Sequence, residues 1–437
     1  MDDDIAYCIE VLVDAVEQND DGGWRYSGSE ATRKHDRLSP IVVENLSLDP
    51  DSLRISYEVL ESELNNLLLE VKGSDNPAHQ VEEKLPEFKE RLYGWDLSEY
   101  VVAFPLNFDR RSSELLPESP QVGDVVFERL PRSDWEERFV PDYDENHDNY
   151  HRQRKLMNFV DRSPNKLDHP WFTYWFTSYR ARGEKYAVDH VVEQLEILLG
   201  MMNYSATFNR IQRFSQDPGP WPDRWGELRE PFIYVLHKED EFVRHYWSED
   251  ATLREADSPF SMHEDMFESL FEGMPTFEEE QSLDGGLLNS LRAFQAAMTE
   301  PSERESFFEF WRGIEILTLV EEGEKMSEVV DRAAAMLGWE DSELGRIRRN
   351  RAQNKRNSYV HEGAGLRLTV ADRNLVKSLH ESLICLYVDK RGDWGYEEMK
   401  FALEQFEVDE DQIENLRKDR TRELRLIDWF EDMAKED

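Results

Sequence analysis

The 437-residue chain carries 94 Asp and Glu against 52 Lys and Arg, a formal net charge of −42, with 39% hydrophobic and 12% aromatic residues. That much apolar and aromatic material excludes a disordered acidic chain and indicates a folded protein of two or three domains. The excess of negative charge argues against nucleic acid, because phosphates are repelled.

Only 15 of the 52 cations are Lys. This acidic, Lys-poor but aromatic-containing composition resembles that of proteins from salt-loving archaea, where a carboxylate-rich surface stays hydrated in concentrated salt. In molar salt the repulsion of phosphates is screened within about 3 Å, so only local contacts count. Cys8 and Cys385 lie far apart without CxxC spacing, so neither a disulfide framework nor a Cys-based zinc site is expected. The start, MDDDIAYCIE, lacks the basic and apolar segments of a signal peptide, and runs such as NLLLEV fall far short of a bilayer span. The expected location is cytoplasmic, with no membrane partner.

In chain order, DDIAYCIEVLVDAVEQ (3–18) has apolar residues at helical spacing, while LRISYEVL (53–60), YVVAFPLNF (100–108), DVVFERL (124–130) and PFIYVLH (231–237) have the character of strands. Around the first of these strand candidates, Pro50–Asp51 followed by Glu70-x-Lys72 has the shape of the PD-(D/E)xK nucleases. There two carboxylates hold Mg²⁺ and a Lys assists the water, and LLLEVK would have to be a strand. An ordinary hairpin is the competing expectation. DYDENHDNYH offers His147 and His151 at i, i+4 with Asp142, Asp144 and Asp148, either a divalent-metal site or an acidic surface loop. HPWFTYWFTSYRARGEKY (169–186) interleaves aromatic and basic residues, as a base-stacking surface would, or a half-buried strand. YAVDHVVEQLEILLGMM (186–202) is expected as a long amphipathic helix.

Pro and Gly punctuate 213–231 and 273–286. After Gly285 strand patterns nearly vanish: LLNSLRAFQAAM places Leu287, Leu288, Leu291, Phe294, Ala297 and Met298 on one stripe, and Ser302 with Glu305 forms a capping box before FFEFWRGIEILTLV. Helices are expected at about 326–337, 341–362 and 369–390, with one or two more to the end. The expected organisation is an α+β region over 1–280 that senses or regulates, followed from 284 to 437 by an all-α bundle with a C-terminal helical extension. The boundary falls near 274–286, and a further break near 214–230 could divide the first region.

Within this acidic chain, RIRRNRAQNKRNSYVHEG (346–363) holds six Arg or Lys and no acidic residue before Glu362. At about 100° per residue, Arg348, Arg351 and Lys355 share one helical face and Arg349 and Arg356 a neighbouring one, with Arg346 extending the basic surface. Asp341 or Ser342 can cap the start, Gly363 and Gly365 mark the end, and His361 falls in the last turn, where the helix dipole favours the imidazolium.

RNSYVH, Arg356 to His361, matches the RX4–6H signature of the HEPN superfamily, a fold of four to five helices, with the polar Asn357 directly after the Arg and a Gly soon after the His. The upstream LRAFQAAMTEPSERESFFEFWRGIEILT resembles the opening helix pair of defence-associated large-chain HEPN proteins. The resemblance spans roughly residues 284–390. It implies that Glu315 lies close to the Arg–His motif, that the bundle pairs as a homodimer, and that RNA is cut by its own 2′-hydroxyl to a 2′,3′-cyclic phosphate and a 5′-hydroxyl, in an antiviral or toxin-like role.

That reaction needs proton transfer near neutral pH, which suits His361, and stabilisation of a doubly charged phosphorane, which suits the forked guanidinium of Arg356. Asn357 can orient either group. Arg346, Arg348, Arg349, Arg351 and Lys355 are the expected RNA contacts, and neither a metal nor another cofactor is required. Residues five apart on a helix point about 140° away from each other, about 7.5 Å apart along the axis, so two motifs facing across a two-fold axis serve one phosphate better than one helix. A non-catalytic HEPN module binding RNA, nucleotide or a regulatory protein partner is the alternative, and the PD-(D/E)xK nuclease a further one. No GxxxxGK[ST], GxGxxG or GxSxG is present.

Overall fold

The computed structural model describes residues 2–19, 23–108, 114–140, 173–210, 228–231, 233–247, 264–275, 282–318, 326–337, 342–362 and 368–404, with short helical pieces at 417–418, 421–422 and 425. The chain divides into two units, Met1–Leu195 with Glu230–Ala256, and Glu196–Arg229 with Asp257–Asp437. Among the described residues no helix is long and apolar enough to cross a membrane.

The first unit opens with a helical layer. α1 (Asp3–Ala15) is capped by the Asp2 carboxylate, which accepts from the Asp4 amide at 2.9 Å. β1 (Val16–Gln18) pairs antiparallel with β2 (Trp24–Tyr26), and α2 (Ser29–Asn45), the single turn α3 (Pro50–Leu53), α4 (Tyr57–Val71) and α5 (Pro77–Tyr93) follow. Ile9, Leu12, Val42, Leu60, Leu64, Leu68, Val81 and Leu92 form their common core.

The expected strand at 53–60 does not form. Arg54 turns the chain in the left-handed region (φ 52°) and α4 starts at Tyr57. Leu60, Leu64, Leu67, Leu68 and Val71 recur at helical spacing and are all buried, whereas a strand would point Leu67 and Leu68 to opposite faces. LLLEVK is therefore helical to Val71.

β3 (Ser98–Leu106), the hairpin β4 (Gln121–Val122) and β5 (Val125–Val126), β6 (Glu128–Leu130), α6 (Arg132–Phe139), β7 (Thr173–Ala181), α7 (Glu184–Thr207), β8 (Ile233–Lys238) and β9 (Glu241–Trp247) complete the α+β architecture. Five strands make one antiparallel sheet in the order β6-β7-β3-β8-β9. β3 is buried on both faces from Tyr100 onward, as a central strand with an unbroken apolar run should be. α6 lays Trp135 and Phe139 on Tyr174 and Phe176, and the Trp135 indole donates to the Trp175 carbonyl at 3.1 Å. At the end of β7, Arg182 donates to the carbonyls of Leu53, Tyr93 and Trp95 at 2.8 to 3.0 Å, tying the helical layer to the sheet. The aromatic run at 169–186 thus resolves, within the described residues, as a largely buried strand and a helix start. DVVFERL forms two short strands.

The second unit takes residues 196–207 of α7, then α8 (Glu264–Glu272), α9 (Asp284–Thr299), α10 (Glu303–Leu317), α11 (Met326–Met336), α12 (Glu343–Glu362), α13 (Val370–Lys390) and α14 (Tyr396–Glu404). Every regular element described in this unit is a helix. Its extent differs from the expectation, because residues 196–229 and 257–273 precede the anticipated boundary at 274–286. Gly200 supplies the reason: a Cβ there would collide with the Leu291 carbonyl, so α7 and α9 approach as closely as glycine permits. Asn203 adds a paired bond to one backbone position, accepting from the Leu228 amide at 2.7 Å and donating to the Leu228 carbonyl at 2.9 Å.

Leu287, Leu291, Phe294, Ala297 and Met298 of the expected α9 stripe are buried, with Leu288 half-buried. Ser302 caps α10 through the Glu305 amide, while its own amide turns to Glu300 at 2.8 Å instead of to Glu305. Arg391 closes α13 onto the start of α9 through a two-pronged pair with Asp284 at 2.7 and 2.8 Å.

Candidate functional site

Ser342 precedes α12 and its hydroxyl accepts from the Gly345 amide at 2.9 Å, and the helix packs inward through the fully buried Ala352. The small alanine brings the backbone close to its neighbours and leaves the long cations around it at the rim. Arg346 and Arg348 are exposed. Arg349 pairs with Asp331 of α11 at 3.4 Å.

Arg351 and Lys355 converge on Asp372 in the first turn of α13, at 2.7 and 3.5 Å. The Asp372 side chain is only 1% exposed. Its carboxylate also closes a capping box, accepting from the Thr369 amide at 3.1 Å and hydroxyl at 2.7 Å, while its amide donates back to Thr369. Burial pushes the carboxyl up, but the bonds from Arg351 and Thr369 outweigh it and leave its pKa below the ordinary value. Two of the five expected RNA contacts thus already share a buried carboxylate, with which a phosphate would compete.

The last turns hold the motif. Arg356 and Asn357 are half-buried. Neither has a hydrogen-bond or ion-pair partner among the described residues. His361 lies in the final turn of α12, and its side chain falls outside the described residues. Gly363 and Gly365 are likewise outside them.

Glu315 on α10 is half-buried, with one carboxylate oxygen accepting from the Trp311 indole at 2.6 Å. Burial raises the Glu315 pKa above its ordinary value, opposed by the Trp311 bond and by the positive charge of Arg356. The fold therefore brings Glu315 and Arg356 into electrostatic range, across forty residues of chain that include all of α11. This site combines a guanidinium with no partner among the described residues, a carboxylate held by an indole and, on the backbone, the turn that carries His361. It can hold a phosphodiester by charge and supply a titrating group nearby.

Sequence reasoning passed over Trp311 and Asp372. The i, i+4 spacing of Trp311 and Glu315 and the T-x-x-D signature of Thr369 and Asp372 could have found them.

The rival constellations fare differently. Asp51 accepts from the Tyr186 hydroxyl at 3.0 Å, Glu70 pairs with Lys84 at 2.9 Å and Arg91 at 3.7 Å, and Lys72 donates to the Val16 carbonyl. The three side chains face separate partners, and Glu70 sits on a helix instead of the strand that chemistry uses. His147 and His151, with Asp142, Asp144 and Asp148, lie outside the described residues. Among those described, no group of three or more His, Cys, Asp or Glu is placed to hold a metal ion.

One contact in the first unit was not anticipated. At the tip of the β4–β5 hairpin, Asp124 meets His190 of α7 at 2.7 Å, with the imidazole stacked 4.4 Å from the Tyr179 ring. The His190 bond holds the Asp124 carboxyl below its usual range.

No protein-family model, no curated protein and no solved structure matches the chain.

Proposed function

We propose that the C-terminal helical unit is an endoribonuclease of HEPN type that works without a metal ion. The observation that carries this reading is Arg356: a half-buried guanidinium with no hydrogen-bond or ion-pair partner among the described residues, within electrostatic range of Glu315, in a helix whose Arg349, Arg351 and Lys355 pair with Asp331 and Asp372. A cation with no partner among the described residues can take up an outside anion, and a phosphodiester fits its fork.

In the proposed reaction the 2′-oxygen attacks the adjacent phosphorus as its proton is withdrawn, the phosphorus–O5′ bond breaks, and the leaving oxygen takes a proton. The products are a 2′,3′-cyclic phosphate and a 5′-hydroxyl. His361 moves the protons, Arg356 stabilises the phosphorane charge, and Asn357 orients one of them. Arg346 and Arg348 guide the strand toward the motif. Two copies of the bundle paired about a two-fold axis would place both motifs on one substrate. A cytoplasmic defence or toxin-like role, with the first unit sensing a trigger or binding a regulatory partner, completes the proposal.

The pairing of Arg351 and Lys355 with Asp372 favours a second reading, a HEPN module that does not cut RNA. Incubating the purified protein with total RNA in EDTA separates the two. Cleavage by wild type that His361→Ala abolishes supports the nuclease; binding without cleavage by either protein supports the module; cleavage abolished by EDTA refutes the metal-free mechanism.

A further inference from the structure

Phe307, Trp311 and Glu315 follow each other at i, i+4 along one face of α10. The Trp311 ring is buried at 2% exposure and lies nearly parallel to Phe307, with centroids 6.2 Å apart and planes 16° apart. Its one polar atom therefore has a fixed direction, and it points at Oε1 of Glu315 at 2.6 Å. The other carboxylate oxygen has no hydrogen-bond partner among the described residues. A glutamate near a helix end ordinarily samples several rotamers; here the indole selects one of them. That choice fixes where negative charge stands relative to Arg356, whose guanidinium has no direct bond of its own among the described residues.

We propose that Trp311 is a positioning residue: its indole N–H locks the Glu315 carboxylate and so fixes where that charge stands as Arg356 receives a phosphodiester. This proposal rests on the ribonuclease reading for its substrate, but not for the relay itself. Three further features fit. A tryptophan is the residue that can stack on Phe307 in the core and still reach a carboxylate two turns along the same face. The carboxyl feels burial as an upward push and the indole and Arg356 as downward pulls, so each partner in the relay is felt at the carboxyl. Glu315 does not close an ion pair with Arg356, so the cation is steered without being consumed, unlike Arg351 on Asp372.

Trp311→Phe tests this, because the phenyl ring keeps the stack on Phe307 and loses only the donor and some volume. On RNA, the expected result is a fall in kcat of about tenfold with KM within about twofold, the loss of one bond to a charged group. The acid limb of the rate profile should move to higher pH, since Glu315 loses one of its downward pulls. Glu315→Gln should weaken cleavage similarly and abolish that limb. A parallel readout needs no activity: the Glu315 carboxyl carbon, assigned in labelled protein by its loss in Glu315→Gln, should titrate at higher pH in Trp311→Phe than in wild type. An unchanged Glu315 titration overturns the relay whatever happens to the rate, and so does an unmoved acid limb beside a lowered kcat. If wild type does not cleave RNA but the carboxyl titration moves as expected, the ribonuclease reading fails and the Trp311–Glu315 lock stands.

Discussion

Asp372 keeps its charge in the interior because Arg351, Lys355 and Thr369 surround it, and those bonds outweigh the cost of burial. A carboxyl whose folded pKa is depressed adds stability above the ordinary carboxylate range, and that stability is lost as pH falls through the folded value. Arg351→Ala removes the nearest cation, so the folded pKa rises toward the ordinary value and the carboxylate contributes less stability at every pH above it. Acid unfolding followed by circular dichroism should show its midpoint moved upward, with about 1 kcal/mol lost at neutral pH because Arg351 itself is half-exposed; an unmoved midpoint contradicts the assigned role. The T-x-x-D cap was readable in the sequence, since capping is local. The bond from Arg351 was not, because α13 is brought beside α12 by packing. The Asp124–His190 pair is the same case: sixty-six residues separate a hairpin tip from a helix, and no spacing rule relates them.

Helices of the second unit were legible wherever one stripe of apolar residues ran long enough, as in α9 and α10. LRISYEVL alone has strand character, and only when the window extends to Val71 does the helical spacing of α4 show. Less legible was the cross-link at the end of α7. Lys377 of α13, 1% exposed, donates to the carbonyls of Thr207 and Arg210 at 3.0 and 3.2 Å and pairs with the buried Glu381. It satisfies carbonyls that the helix end leaves open. Burial presses Lys377 toward its neutral form and Glu381 toward its protonated form, each resisted by the other's charge. Lys377→Met should cost about 3–5 kcal/mol by leaving Glu381 unpaired. The double variant Lys377→Met with Glu381→Leu should recover part of this yet stay about 1–2 kcal/mol below wild type, because the two carbonyls still lack a donor. Urea unfolding of wild type and the two variants measures this, and full recovery in the double variant would show that the carbonyl bonds contribute nothing.

For the whole molecule, the α+β character of the chain and the helical nature of its later part were readable from residue patterns. The division into units was not, since it follows from Gly200 and Asn203 meeting partners far along the chain. The candidate site was legible in its motif residues and, for Glu315, only through the family resemblance. With a net charge of −42, the chain should take up RNA only where long-range repulsion is screened, which makes concentrated salt the proper condition for testing it. The most direct test is the chemistry of the ends left on a defined RNA in molar KCl with chelator present. Wild type should leave 2′,3′-cyclic phosphate and 5′-hydroxyl ends, and Arg356→Ala, folded to the same unfolding midpoint, should leave the RNA uncut. Equal cleavage by Arg356→Ala, or 5′-phosphate ends from wild type, would contradict the account.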